Sequence, residues 1–169
     1  QKMISELYES TKINSGHMQL QISEFNFFDA IKEAIETVEV LQPANQITIN
    51  GNADIMIRGD RYRLIQVLTN YLSNGIKYSN SKTKVSLNIT HEEKILTVSV
   101  KDEGLGISKE QLPYVFERFF RVEKTRNIEE IGLGLYLCRQ IIHAHKGRVW
   151  AESEEGKGSV FYFSIPLIQ

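Results

Sequence analysis

The segment Arg63-Leu64-Ile65-Gln66-Val67-Leu68-Thr69-Asn70-Tyr71-Leu72-Ser73-Asn74-Gly75-Ile76-Lys77 reads as an amphipathic helix, within a helical pattern over about residues 61–78. At about 100° per residue, Leu64, Val67, Leu68, Tyr71 and Leu72 fall on one side, and Arg63, Gln66, Asn70, Asn74 and Lys77 on the other. A merely solvated outer face would satisfy such a helix. Asparagine, however, is a mediocre helix former, and Asn70 and Asn74 stand one turn apart with Lys77 just beyond. Two amide oxygens and an ammonium then converge. Carbonyl oxygen suits a hard cation such as magnesium, and lysine offers a point charge to a phosphate.

Outward from this helix, elements of both kinds alternate. On the N-terminal side, alternation from Met18 (Leu20 and Ile22 apolar) predicts a half-buried strand. A helix follows over about 26–41, with Phe27, Phe28, Ile31, Ile35, Val38 and Leu41 as its buried stripe. Ile47-Thr48-Ile49 and Ile55-Met56-Ile57 read as short strands around Asn50-Gly51-Asn52, and Gly59-Asp60 opens the central helix. On the C-terminal side come strands near 83–90 and 94–101, then a glycine-bearing loop and an irregular aromatic stretch. A helix over Leu133 to His145 is closed by Gly147, and a hairpin of Val149-Trp150-Ala151 with Val160 to Ile165 ends the chain. Strands and helices mix without βαβ repetition, so the fold class is α+β, a sheet with helices on one face.

The chain has 169 residues, 41% hydrophobic and 24% charged, which fits one globular domain and excludes disordered and collagen-like classes. No apolar run approaches the ~18 residues of a membrane span, and Gln1-Lys2-Met3-Ile4-Ser5-Glu6 lacks the apolar core of a secretory signal. Twenty basic against twenty-one acidic residues leave a net charge of −1, so nothing global points to nucleic acid. The lone Cys138 excludes an internal disulfide and a thiolate zinc site, and fits a reducing compartment.

Two glycine loops carry further signals. Asp102-Glu103-Gly104-Leu105-Gly106 follows a strand. It is either a plain Asp-Gly turn or a place where backbone approaches a flat ligand while the carboxylate accepts a hydrogen bond from an exocyclic amine. Gly132-Leu133-Gly134-Leu135 opens a helix, whose free N–H groups suit a phosphate. Neither matches the dinucleotide fingerprint or the P-loop. Gly156-Lys157-Gly158-Ser159 has the look of a P-loop tail, but between two strands it is turn chemistry.

Together and in this order, four segments resemble the N, G1, F and G2 boxes of sensor histidine kinases. They are the stretch from Asn70 to Ser79, Asp102-Glu103-Gly104-Leu105-Gly106, Phe116-Glu117-Arg118-Phe119-Phe120-Arg121 and Gly132-Leu133-Gly134-Leu135. The ending from His145 through Phe161 is similar to the same family. The resemblance implies a two-layer sandwich, a mixed five-stranded sheet with three helices on one face, binding ATP and magnesium. Carried over by position, Asn74 would ligate magnesium with Asn70 beside it, Lys77 would meet phosphate and Tyr78 would pack near the base. Asp102 would read adenine, with Gly104 and Gly106 shaping its side of the pocket. The backbone of Gly132, Leu133, Gly134 and Leu135 would approach the phosphates. Arg118 or Arg121 would neutralise the triphosphate, and residues 122–131 would form a lid.

The implied reaction moves the ATP γ-phosphate to a histidine on a helical dimerisation domain, in a phosphorelay with a response-regulator receiver domain. The implied setting is cytoplasmic, in a homodimeric parent protein that some family members anchor in a membrane. Residues 1–17 resemble the end of a dimerisation-domain helix and its linker, leaving 18–169 as the ATP-binding domain. The fold is shared with ATPases of the gyrase, mismatch-repair and chaperone kind, in which a glutamate one turn before the magnesium asparagine activates water. Here that position is Asn70. An amide is no general base, which disfavours stand-alone hydrolysis. Two departures stand out. Glu130 and Ile131 occupy the first two places of the last box, and a carboxylate there repels a triphosphate unless Lys124 and Arg126 compensate. That leaves open a nucleotide-binding or interaction module without transfer activity. The second departure is that His17, His91, His143 and His145 lack the setting of an acceptor histidine, and all four read as structural.

Overall fold

The computed structural model describes residues 18–41, 46–79, 84–122 and 132–167, with Leu41 described in its backbone alone. The expectations for residues 1–17, for the Leu41 side chain and for 123–131, including Lys124, Arg126, Glu130 and Ile131, lie outside the described residues.

The elements are β1 (Ser23–Asn26), α1 (Phe27–Leu41), β2 (Gln46–Asn50), β3 (Met56–Gly59), α2 (Arg61–Lys77), β4 (Lys84–Glu92) and β5 (Ile95–Lys101). After a 3-10 turn at Leu112–Tyr114 come α3 (Gly134–Ala144), β6 (Arg148–Glu154) and β7 (Gly158–Pro166). Five strands form a mixed sheet in the order β2-β4-β5-β7-β6, with β2 parallel to β4 and the other pairs antiparallel. The α+β sandwich of three helices and a five-stranded sheet is as the sequence implies. Among the described residues no helix is long and apolar enough to cross a membrane.

Helix α2 is the centre of the helical layer, touching α1 on one side, α3 on the other, and β4 and β5 beneath. Leu64, Val67, Leu68, Tyr71 and Leu72 are all fully buried, and burying each aliphatic side chain contributes about 1.5–3 kcal/mol. Tyr71 lies across Phe161 and Phe163, and its hydroxyl donates to the Tyr162 carbonyl at 3.2 Å. Burial pushes that phenol well above its ordinary range and so keeps it a donor. Residues alternate along β7: Phe161, Phe163 and Ile165 are buried against the helices, while Tyr162 faces the opposite side, stacked on Trp150 with centroids 4.9 Å apart.

A buried polar cluster ties α2 to α3. Asp60 caps α2, its Oδ1 accepting from Arg63 N at 3.1 Å, and its Oδ2 accepts from Gln21 N at 2.9 Å. The Asp60 N–H donates to His145 Nε2 at 2.9 Å, and His145 Nδ1 donates to the Ile141 carbonyl at 2.8 Å. The imidazole is therefore held as the neutral Nδ1–H tautomer by one donor and one acceptor. His145 is structural, as expected.

Three local expectations are corrected and one is refined. The strand begins at Ser23 rather than near Met18, and Ile22 is exposed. The runs at 47–49 and 55–57 are strands as expected, but in different sheets: β2 adds to β4 in the main sheet, whereas β3 pairs with β1 in a separate two-stranded sheet. In α1, Phe28 is exposed and Ile35 only partly buried, because the small Ala30 and Ala34 supply the buried stripe beside Phe27, Ile31 and Val38. At the end of α3 the left-handed residue is Lys146 (φ 61°), not Gly147. Lys146 N bonds the His143 carbonyl and Gly147 N the Ile142 carbonyl, a Schellman closure. Gly147 is needed for another reason, since a Cβ there would collide with the Ser164 carbonyl.

Asp60→Ala removes a helix cap and strands the Gln21 N–H, so denaturant melts should show a loss of about 1–2 kcal/mol, recovered only in part by Asp60→Asn, whose single side-chain oxygen can serve the cap or Gln21 but not both. His145→Leu leaves the buried Asp60 N–H unpaired and should cost about 1–3 kcal/mol.

Candidate functional site

The polar face of α2 meets the start of α3. Asn74 Nδ2 donates to Asn70 Oδ1 at 3.2 Å, which leaves Asn74 Oδ1 with no hydrogen bond among the described residues. A Cβ on Gly134 would run into the Asn70 amide, so a glycine is what lets the first residue of α3 lie against this face. Leu133, at the N-cap, is buried and offers no capping oxygen. Among the described residues the start of α3 has no side-chain cap, and its first residue lies against Asn70, a setting that suits an anion.

The loop before α3 is braced by the aromatic segment. Gly132 (φ 74°) accepts from Phe119 N at 3.0 Å, and Arg121 Cγ lies where a Gly132 Cβ would approach to 3.1 Å. The Arg118 guanidinium sits over the Phe119 ring at 4.7 Å, and Glu117 pairs with Arg139 of α3 at 2.8 Å. Arg121 thus lies against the loop that opens α3, while Arg118 is packed on the adjacent Phe119.

At the other end of α2, Lys77 Nζ lies 5.7 Å from the Tyr78 ring centre, and Tyr78 closes the helix. The Tyr78 carbonyl accepts from Leu105 N at 3.2 Å, which fastens the Asp102–Gly106 loop to the helix end. Gly104 is packed so closely on that carbonyl and on Asp102 Oδ1 that a side chain would not fit. Gly106 (φ 65°) lies against the Glu154 carbonyl in the same way.

Asp102 is 5% exposed. Its Oδ1 accepts from Gly104 N at 2.8 Å and Ser159 N at 3.3 Å, while no group among the described residues bonds Oδ2. Burial raises its carboxyl above the ordinary 3.8, partly offset by those two N–H groups. One oxygen is fixed by backbone and the other is an acceptor available to a ligand.

The structure thus links Asn70, Asn74, Gly134 and Leu135 at one end of the site and Lys77, Tyr78, Asp102, Gly104 and Gly106 at the other, joined by α2 itself. Sequence reasoning missed the supports of Asp102. Gly158 and Ser159 read only as a hairpin turn, yet the Ser159 carbonyl accepts from Asp102 N and its N–H donates to Asp102 Oδ1, and a Gly158 Cβ would collide with the Asp102 carbonyl.

Similarity to known proteins agrees with this geometry. The model of the family described as "Histidine kinase-, DNA gyrase B-, and HSP90-like ATPase" matches residues 59–169. The sensor histidine kinase WalK of Bacillus subtilis is 33% identical over 98% of this chain and 28% of its own length. The adaptive-response sensory kinase SasA of Thermosynechococcus vestitus is 32% identical over 98% of this chain and 45% of its own. The chain therefore spans less than half of either relative. Among solved structures, the nucleotide-free catalytic domain of histidine kinase ThkA superposes with a TM-score of 0.74 at 31% identity, over 88% of this chain and 97% of that one. With the family matched across both glycine loops and the asparagine helix, and a solved catalytic domain covered almost end to end, the chain belongs to the histidine kinase-, DNA gyrase B- and HSP90-like ATPases, as a catalytic domain of the sensor histidine kinase kind.

Proposed function

We propose that the chain binds magnesium and ATP between α2 and α3. Within a longer protein it would transfer the γ-phosphate to a histidine of a dimerisation domain, from which a response-regulator receiver domain takes it. The observation that carries this reading is the contact of Gly134 with Asn70, which lays an uncapped helix start beside two amide side chains. Asn74 Oδ1 and Asn70 Oδ1 are hard oxygen donors, the kind magnesium takes. Magnesium, when bound, neutralises charge on the phosphates.

In this reading the N–H groups of Gly134 and Leu135, with the Gly132–Leu133 backbone, hold phosphate oxygens. Lys77 and Arg118 or Arg121 add positive charge. Asp102 Oδ2 accepts from the amino group of adenine, with Tyr78, Gly104 and Gly106 around the base. The chemistry is positioning and electrostatic stabilisation, with no covalent step on the protein. Asn70 cannot take a proton from water, which favours transfer to a presented acceptor over hydrolysis. The supply of ATP places the reaction in the cytoplasm, and the acceptor histidine and receiver domain are partners outside this chain.

Incubated alone with magnesium and ATP, the chain should release phosphate slowly. Supplying the dimerisation domain should give an acid-labile phosphohistidine on that domain, read by radiolabel transfer; a stand-alone hydrolase would give fast phosphate release instead. Asn74→Ala should weaken magnesium-dependent ATP binding by about 10–100-fold or more in calorimetry.

Asp102 carries a pH prediction. Its folded carboxyl holds a proton more tightly than the unfolded one, so it favours the fold most at low pH, and that contribution is lost as pH rises through the raised pKa. At pH 7, Asp102→Asn should therefore melt no lower than the wild type while binding ATP at least about tenfold more weakly. Wild-type ATP affinity should fall as pH drops from 7 toward the raised carboxyl pKa, since the protonated acid loses its acceptor role.

A further inference from the structure

The Ser153 hydroxyl makes three bonds: with Ile107 N at 2.8 Å, the Gly158 carbonyl at 2.9 Å and Ser159 Oγ at 2.9 Å. A hydroxyl has one proton and two lone pairs. Ile107 N–H can only donate and the Gly158 carbonyl can only accept, so the Ser153 proton goes to Gly158, and Ser159 must donate its own proton to Ser153. Every hydrogen-bonding capacity of Ser153 is then used, and the direction of the Ser159 hydroxyl is fixed with it.

The groups so gathered are the two sides of the Asp102 cradle. Ile107 ends the loop that begins at Asp102, and Gly158-Ser159 is the strand start whose N–H holds Asp102 Oδ1 and whose carbonyl accepts from Asp102 N at 2.9 Å. Two backbone bonds secure the middle of the loop, Leu105 N to Tyr78 O at 3.2 Å and Gly156 N to Leu105 O at 2.7 Å. Ser153 adds the side-chain link between the far end of the loop and the hairpin strand. Ile107 and Ser159 are both buried, so without that hydroxyl their polar groups lose a partner that water replaces poorly.

We propose that Ser153 is a positioning residue for recognition of the nucleotide base: by joining Ile107, Gly158 and Ser159 it fixes the direction in which the Asp102 carboxylate faces the ligand. This rests on the reading that Asp102 accepts from the adenine amino group. Ser153 itself touches no substrate.

The test compares affinities for ATP and for inosine triphosphate, in which a carbonyl replaces the amino group, by calorimetry with competition for the weaker ligand. Ser153→Ala should weaken ATP about three- to tenfold and leave inosine triphosphate nearly unchanged, narrowing the ratio between them. Ser153→Thr, which keeps the hydroxyl, should restore both. In an Asp102→Asn background the Ser153→Ala change should have no further effect on the ratio, because the two act through one carboxylate. Equal weakening of both nucleotides, no change in either, or an undiminished effect in the Asp102→Asn background would each overturn the proposal. If Asp102→Asn alone leaves the ratio at its wild-type value, the base-reading role of Asp102 fails and the role of Ser153 fails with it. If Ser153→Ala does not fold, Ser153→Cys, similar in shape but a weak hydrogen-bonding group, takes its place with the same expectations.

Discussion

The meeting of Gly134 with the Asn70 amide constrains everything around it. For the start of α3 to come so close to α2, the residue there must lack a side chain, the N-cap must offer no competing oxygen, and the facing helix must carry a short polar group. Leu133, Gly134 and Asn70 meet these three conditions. The opposite end of α3 has to be held as firmly, and the bond from Asp60 N to His145 does that while Asp60 caps α2. The two helices are thus fixed to each other at one end by a tight apolar and amide contact and at the other by a fully satisfied buried cluster.

The second constraint is the cradle of Asp102. A carboxylate with one oxygen held by two backbone N–H groups and the other uncommitted is costly to bury. The fold accepts that cost where a ligand donor can arrive. Glycine serves sterically here as well as conformationally. Gly104 and Gly158 sit where any Cβ would strike the Tyr78 or Asp102 carbonyls. Gly51, although its φ is 96°, turns the chain hard against the Ile89 carbonyl of β4 rather than making a hairpin with β3.

Much of this was legible before any coordinates. The 3.6-residue period exposed α2 and its two faces, Asp60 announced the helix start, and the boxes from Asn70 to Leu135 pointed to the family. What escaped was pairing at long range. The runs at 47–49 and 55–57 carry a strand signal but no information about partners, and a parallel β2–β4 pair leaves no local mark. The support of Asp102 by Ser159, 57 residues away, depends on β5 and β7 being neighbours, which no local pattern states. Alternation misled at Met18–Ile22 because that segment is held through the Gln21 N–H to Asp60, and not through a strand ladder.

The stack of Trp150 on Tyr162, with Arg148 over the indole at 5.1 Å, has an optical consequence. Trp150 is the only tryptophan in the chain, and the register that pairs it with Tyr162 puts it on the face of the sheet away from the helices. The intrinsic fluorophore and the α2–α3 surface proposed to bind nucleotide therefore lie on opposite sides of one β layer. Indole emission should therefore report the integrity of the β6–β7 hairpin more than a ligand bound on the helical side. Spectroscopically, the molecule keeps its record of folding separate from its record of occupancy.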